Sequence, residues 1–272
     1  MISKATFNKQ RKYYLLITLA FIFFSTNTHA TDARDIMKKV DDRYRGNSWI
    51  MDSNVLLIDK NKRRSERQLR IKGKMYAKDE KTITYVLEPA RIRGTGILSY
   101  DWHDPKRENE SWLYLPDLGK VTRLTTANRA DYFLGTDFTY GDLEGLEVDD
   151  FSYQTSNNEK SEINEIVIDA EPINPNGINK YGYRKIRYWV DINKDVINKA
   201  QYWLKDNGWV KYYRQFEFKK IDGVWLADRE QMSITKHKQL IHTTIITRGD
   251  IEVNADIDDS LFTTNSLERV GR

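Results

Sequence analysis

The sequence contains no cysteine, only five prolines and only four histidines. Without cysteine the chain can form no disulfide, offers no thiolate nucleophile and has no cysteine for lipid attachment. Outside the first 30 residues the histidines are His103, His237 and His242, and none is spaced with Asp or Glu as metal ligands are. We expect them to be surface histidines. The Gly-x-Ser-x-Gly elbow of serine hydrolases does not occur either. From these absences together we expect no catalytic residue, no metal and no cofactor.

The beginning of the chain has the pattern of an export signal. Four basic residues, the first at Lys4, precede an apolar run over residues 13–24, and Thr28-His29-Ala30 follows. Such a run is too short to span a bilayer comfortably, and small residues after it are typical of a cleavage site. We expect cleavage near Ala30 and a soluble periplasmic protein formed by residues 31–272 as one domain.

The net positive charge of the chain comes from the predicted export signal. The chain has 44 Lys and Arg against 40 Asp and Glu, and residues 1–30 hold four of the basic residues and none of the acidic ones. Residues 31–272 therefore balance at 40 against 40. A balanced surface gives nucleic acid no electrostatic attraction, so nucleic acid is excluded as an expected partner.

Most of the remaining sequence alternates between apolar and polar residues. After a predicted helix over residues 33–44, capped by Thr31 or Asp32, period-two alternation predicts strands almost to the end of the chain. Asp206-Asn207-Gly208 and Asp222-Gly223 lie where hairpin turns are expected. The strands are predicted over residues 49–59, 64–77, 82–87, 94–102, 112–116, 121–125, 164–170, 183–191, 196–205, 209–220, 224–236 and 240–253.

Many consecutive strands joined by short turns predict an antiparallel meander with one apolar face. Ten or more long strands cannot stay flat, so the sheet should curl strongly toward an unclosed barrel. The helix at 33–44, with a second helical piece around 127–146, is available to fill the hollow. An imperfect fit would leave room for a hydrophobic ligand.

Residues 88–142 combine strands with a segment dense in aromatic residues and glycine. Rings crowded beside glycines favour a binding wall over a catalytic centre. The acidic run from Asp142 to Asp150 lacks the pattern of a calcium loop, and we expect it to be a solvated face. The side chains that we expect to line the cavity are Leu98, Tyr100, Trp112, Tyr114, Phe133 and Phe138.

Three pieces of this block together resemble the outer membrane lipoprotein-sorting protein family. They are residues 94–100 (GTGILSY), the strand Trp112-x-Tyr114-x-Pro116 with residues 120–124 behind it, and residues 133–143 (FLGTDFTYGDL). These are LolA-like periplasmic proteins, often associated with RND-type exporters. The resemblance implies a mainly β fold, an unclosed barrel of about eleven antiparallel strands with a helical plug, holding acyl chains in its hollow.

The resemblance also implies a function and partners. We expect a monomeric, non-enzymatic carrier or chaperone that binds a lipid or lipoprotein acyl chain, touches membranes transiently and works with an inner-membrane RND-type exporter. A sensor module related to RseB, acting through a protein partner, stays open as an alternative. A hydrolase is the third class, and no catalytic constellation supports it.

Overall fold

The computed structural model describes residues 32–104, 106–125, 128–156 and 161–270, and for Val270 the backbone only. The predicted export signal at 1–30 lies outside the described residues.

The described residues form one antiparallel sheet of thirteen strands, two more than the resemblance implies. The strands are β1 Ser48–Asp59, β2 Arg64–Tyr76, β3 Asp79–Glu88, β4 Gly96–Asp101, β5 Glu110–Leu115, β6 Lys120–Leu124, β7 Phe151–Thr155, β8 Glu165–Pro172, β9 Tyr183–Asp191, β10 Val196–Leu204, β11 Trp209–Ile221, β12 Val224–Lys236 and β13 Gln239–Val253. The helices are α1 Ala33–Asp41, α2 Tyr140–Glu144, α3 Pro175–Tyr181 and α4 Thr264–Val270.

The sheet consists of two meanders joined in the middle. Strands β1 to β6 follow one another to one edge, β7 to β13 follow one another from the other edge, and β13 pairs with β1. The edge strands β6 and β7 are not paired with each other, so the sheet is not closed into a barrel. The predicted fold class, a single mainly β antiparallel sheet of the unclosed-barrel type, is confirmed.

The turn between β11 and β12 shows how the sequence sets the strand register. Ile221 pairs with Val224, and the two residues between them, Asp222 and Gly223, have φ of 47° and 86°. Positive φ at both central positions is the requirement of the type I′ hairpin turn, which Asp-Gly meets at low cost. This turn was predicted from the sequence.

Helix α1 packs its apolar side onto the sheet and is shorter than predicted. The side chain of Asp32 caps it by accepting a hydrogen bond from the Arg34 backbone N–H at 3.2 Å. Ile36 and Met37 are buried in the largest core cluster, with side chains of β9, β10 and β12. The helix ends at Asp41 rather than at Tyr44, whose ring is about half exposed.

A crossing segment, residues 128–150, joins the two edge strands β6 and β7. Its two large aromatic side chains reach different parts of the sheet: Phe133 packs with Val55 of β1, and Phe138 packs in the cluster of α1 and β9. The segment therefore runs across one face, which we call the inner face. The second helix predicted around 127–146 is limited to the five residues of α2.

The opposite face of the first strands is covered by the C-terminal segment, residues 255–267. Successive residues of a strand point to opposite faces. Ile97 of β4 packs in the cluster that contains Phe133 of the crossing segment, whereas its neighbour Leu98 packs in the cluster that contains Leu267 of α4. The crossing segment and the C-terminal segment therefore lie on opposite sides of β4.

Candidate functional site

An apolar cavity lies between α1, the crossing segment and the inner face of the sheet. Its volume is about 410 Å³, within the range of roughly 300–1,000 Å³ found for small-molecule sites. Met37 of α1, Phe138 of the crossing segment and Met232 of β12 belong to its walls. Further apolar walls are Val40, Leu146, Tyr188, Ile197, Tyr202 and Ile246.

Part of the cavity wall is polar. Glu230 of β12 forms an ion pair with Arg248 of β13, and the Tyr213 hydroxyl donates a hydrogen bond to the Glu230 carboxylate at 2.9 Å. Arg43, in the loop after α1, also lines the cavity. The site therefore combines apolar walls with a cluster of charged side chains.

The structure divides the six predicted cavity residues among three clusters. Phe138 lines the cavity. Phe133 is buried on the inner face beside β1 and does not line the cavity. The other four lie on the face that is covered by the C-terminal segment, and they are Leu98, Tyr100, Trp112 and Tyr114.

Those four residues lie close together, as predicted, but they pack against the C-terminal segment and not against a ligand. The Tyr100 and Trp112 rings meet edge to face with centroids 5.0 Å apart, and the Tyr100 hydroxyl donates to the Phe262 carbonyl oxygen at 2.6 Å. Leu98 has no exposed surface. As ligand contacts these residues stay a prediction, since here they pack against protein.

The crossing segment is fixed to the sheet through buried carboxylates, of which Asp137 is the first. Its carboxylate accepts a hydrogen bond from the Thr244 hydroxyl at 2.7 Å and lies 2.8 Å from Nδ1 of His242. Burial raises the pKa of Asp137, against the opposing effect of these hydrogen bonds. His242 is partly exposed, at 24% of its side chain, and its partner Asp137 lies 105 positions away in the sequence.

Asp142 is the second of these carboxylates. It completes a capping box with Thr139 at the start of α2, and it also accepts hydrogen bonds from the Tyr183 hydroxyl of β9. Lys211 of β11, whose side chain has no exposed surface, places its Nζ 2.9 Å from the same carboxylate. This ion pair ties the crossing segment to the middle of the second meander.

Glu144 is the third of these carboxylates. It forms an ion pair with Arg129, and each of the two side chains is 93% buried. The Ser111 hydroxyl of β5 donates to the same carboxylate at 2.5 Å. The prediction that the acidic run is a solvated face was therefore wrong for Asp142 and Glu144, which anchor the segment across the sheet. The Thr139-x-x-Asp142 spacing is a helix-start signal that could have identified α2 from the sequence.

A second cavity of about 410 Å³ adjoins the first where α1 ends. Several of the acidic side chains that line it have raised pKa values. Burial, and then the charge of Asp101, raise the pKa of Glu147 to about 7. Burial also raises the pKa of Glu80 and that of Asp101. The side-chain N–H of Asn109 donates to Glu147 at 2.9 Å and links the β4–β5 loop to the crossing segment.

Within the described ranges, no group of three or more His, Cys, Asp or Glu side chains is arranged to hold a metal ion. None of the described helices is long and apolar enough to cross a membrane.

The fold is that of LolA-like outer membrane lipoprotein-sorting proteins, as comparison with solved structures shows. An outer membrane lipoprotein-sorting protein domain from Vibrio parahaemolyticus superposes with a TM-score of 0.74 at 23% identity, covering 87% of this chain and 98% of that one. A DUF1329 family protein from Desulfovibrio piger gives 0.75 at 20% identity, covering 86% and 97%. A LolA superfamily protein from Nitrosomonas europaea gives 0.64 at 20% identity, covering 87% and 100%.

The protein belongs to the family whose model, described as "Uncharacterized protein", matches residues 78–269. No curated protein matches the sequence. The resemblance to the lipoprotein-sorting family, first read from residues 94–143, is thus confirmed at the level of the fold.

Proposed function

We propose that this protein is a non-enzymatic periplasmic carrier that holds an acyl chain of a lipid or lipoprotein in the apolar cavity on the inner face. The observation that carries the proposal is the cavity itself, with Met37, Phe138 and Met232 from three separate elements facing one space. The lipoprotein-sorting name of the Vibrio parahaemolyticus relative supports the choice of an acyl chain. The predicted export signal supports the periplasm as the place of action.

The energetics fit a reversible carrier. Each buried methylene contributes about 0.8 kcal/mol, so a ten-carbon stretch in the cavity would contribute about 8 kcal/mol before the entropic losses of binding. Release at a destination then needs a partner that competes for the chain. We propose an inner-membrane RND-type exporter as the protein that delivers or receives the ligand.

Binding of a fluorescent fatty acid to the delipidated protein tests the proposal. We expect Phe138→Ala to weaken binding about tenfold, because it removes a large apolar wall. Trp112→Ala is the matched control: it removes an even larger aromatic ring from the opposite face, beside Tyr100, and should leave affinity within about twofold.

Native mass spectrometry of the gently purified wild type complements the assay and should show a bound lipid. If the wild type neither carries lipid nor binds the probe, the carrier function is wrong and a sensor that responds to a protein becomes the better hypothesis. Equal losses in Phe138→Ala and Trp112→Ala would show that the cavity is not the binding site.

A further inference from the structure

The sheet opens between β12 and β13 beside the cavity. Pairing of the two strands ends at Arg229 with Thr247, although β12 begins at Val224 and β13 continues to Val253. Beyond Thr247, β13 continues its pairing with β1. The first residues of β12 therefore have no strand partner on this side, and their carbonyl groups need other donors.

Two arginines occupy the opening. Nη1 of Arg43 donates to the Trp225 carbonyl oxygen at 3.3 Å, and Nη1 of Arg248 donates to the Ala227 carbonyl oxygen. Residues two apart in a strand are about 7 Å apart and direct their carbonyls to the same side. Both arginines also line the apolar cavity. Two guanidinium groups therefore lie side by side where the cavity meets the gap in the sheet.

Arg43 differs from its neighbours in having no carboxylate partner. Arg248 pairs with Glu230, and Arg45 lies 3.4 Å from Glu80. Among the ion pairs of the described residues, Arg43 takes part in none. Burial, together with the charge of Arg45, lowers the pKa of Arg43 to about 10. A cation withdrawn from water is costly unless an anion compensates it.

Two polar atoms of the cavity wall lack a hydrogen-bond partner. The Ser53 hydroxyl oxygen and Nε of Arg248 are buried and form no hydrogen bond within the protein. Ser53 is only 2% exposed, and both residues line the cavity. Buried polar groups are satisfied in the great majority of cases. These donors and Arg43 are groups that an acceptor entering the cavity would meet, beside the Glu230 carboxylate that pairs with Arg248.

We propose that the cavity takes a single-chain amphiphile with an anionic headgroup, whose oxygens accept hydrogen bonds from Arg43, Arg248 and Ser53 while the chain lies against Phe138 and Met232. Carboxylates and phosphates are the anions that a guanidinium fork matches best. The inference rests on the acyl-chain binding proposed above and adds the charge of the ligand and the place of its head.

Calorimetric titration of the delipidated protein with four probes that share one chain tests the headgroup preference. The probes are dodecanoate, dodecyl phosphate, dodecanol and dodecyltrimethylammonium. We expect at least one of the two anionic probes to bind about tenfold or more tightly than dodecanol, and the cationic probe to bind most weakly. Whichever anionic probe binds better identifies a carboxylate or a phosphate as the head.

Variants assign the preference to the arginine. Arg43→Gln should abolish the advantage of the anionic probes and leave dodecanol affinity within about twofold. Arg229→Gln is the matched control, because it removes the same charge from a residue of β12 itself, at a side chain that is 43% exposed and pairs with Glu217. Arg43→Lys keeps the charge and should retain part of the preference for the anionic probes. This variant allows the role of Arg43 to be tested even if Arg43→Gln does not fold.

The outcomes separate the two proposals. If all four probes bind equally well, or if Arg229→Gln lowers the anionic preference as much as Arg43→Gln does, the headgroup inference is wrong while acyl-chain binding stands. If neither dodecanol nor any other probe binds, acyl-chain binding itself is wrong.

Discussion

At the scale of single residues, the most consequential groups are the three buried carboxylates of the crossing segment. Asp137, Asp142 and Glu144 each accept a bond from a different strand, β13, β11 and β5 in turn, so a stretch with little regular structure is held across the sheet. Buried charges contribute to a fold only while their partners are present. Each of these contacts therefore fixes the position of the cavity wall that contains Phe138.

Replacing Lys211 with methionine tests this role. The substitution removes the cation beside Asp142 without leaving a large void, and the carboxylate then stays buried with the Tyr183 hydroxyl as its remaining sheet partner. We expect a loss of about 3–5 kcal/mol in the free energy of unfolding, measured with urea. Adding Asp142→Leu to the same variant should recover part of that loss, because no unpaired charge remains.

The control is an ion pair on the surface. Arg70 and Asp52 are 46% and 43% exposed, and Arg70→Met should change the free energy of unfolding by less than about 1 kcal/mol. If Lys211→Met costs no more than Arg70→Met, the buried pair does not hold the segment in solution.

At the scale of elements, the strands were the most predictable part and the crossing segment the least. The bounds predicted for β9 and β12 are those of the structure, and the Asp222-Gly223 turn fixes the start of β12. β7, a five-residue strand at the edge of the sheet, was missed. The roles of the acidic residues were missed because their partners lie far away in sequence.

Helix α1 is the element whose docking closes one side of the cavity. Ile36 is 4% exposed and packs into the main cluster, so Ile36→Asp should lower the free energy of unfolding by about 2–5 kcal/mol, since a carboxylate would be buried without a partner. Lys39→Asp, on the exposed side of the same helix, should cost no more than about 1 kcal/mol through the helix dipole. An unchanged melting temperature for Ile36→Asp would mean that the helix does not dock.

At the scale of the whole molecule, the sheet is apolar on both faces over its first strands. Alternation in β4 and β5 identifies two sets of side chains but cannot tell which set faces the hollow. The C-terminal segment settles this by covering Leu98 and Tyr114, whereas Ile97 and Leu113 pack on the inner face with Phe133. The aromatic block thus identified the class of fold correctly, and of its six predicted cavity residues Phe138 is the one that lines the cavity.

The central claim is that a hydrophobic ligand occupies the inner face. The most direct measurement is photo-crosslinking with a diazirine-bearing fatty acid, followed by peptide mapping of the labelled protein. We expect labelling, competed by unlabelled fatty acid, within α1, the crossing segment and β12, where Met37, Phe138 and Met232 line the cavity. Labelling confined to β4, β5 and the C-terminal segment, or labelling that unlabelled fatty acid does not compete, would contradict the claim.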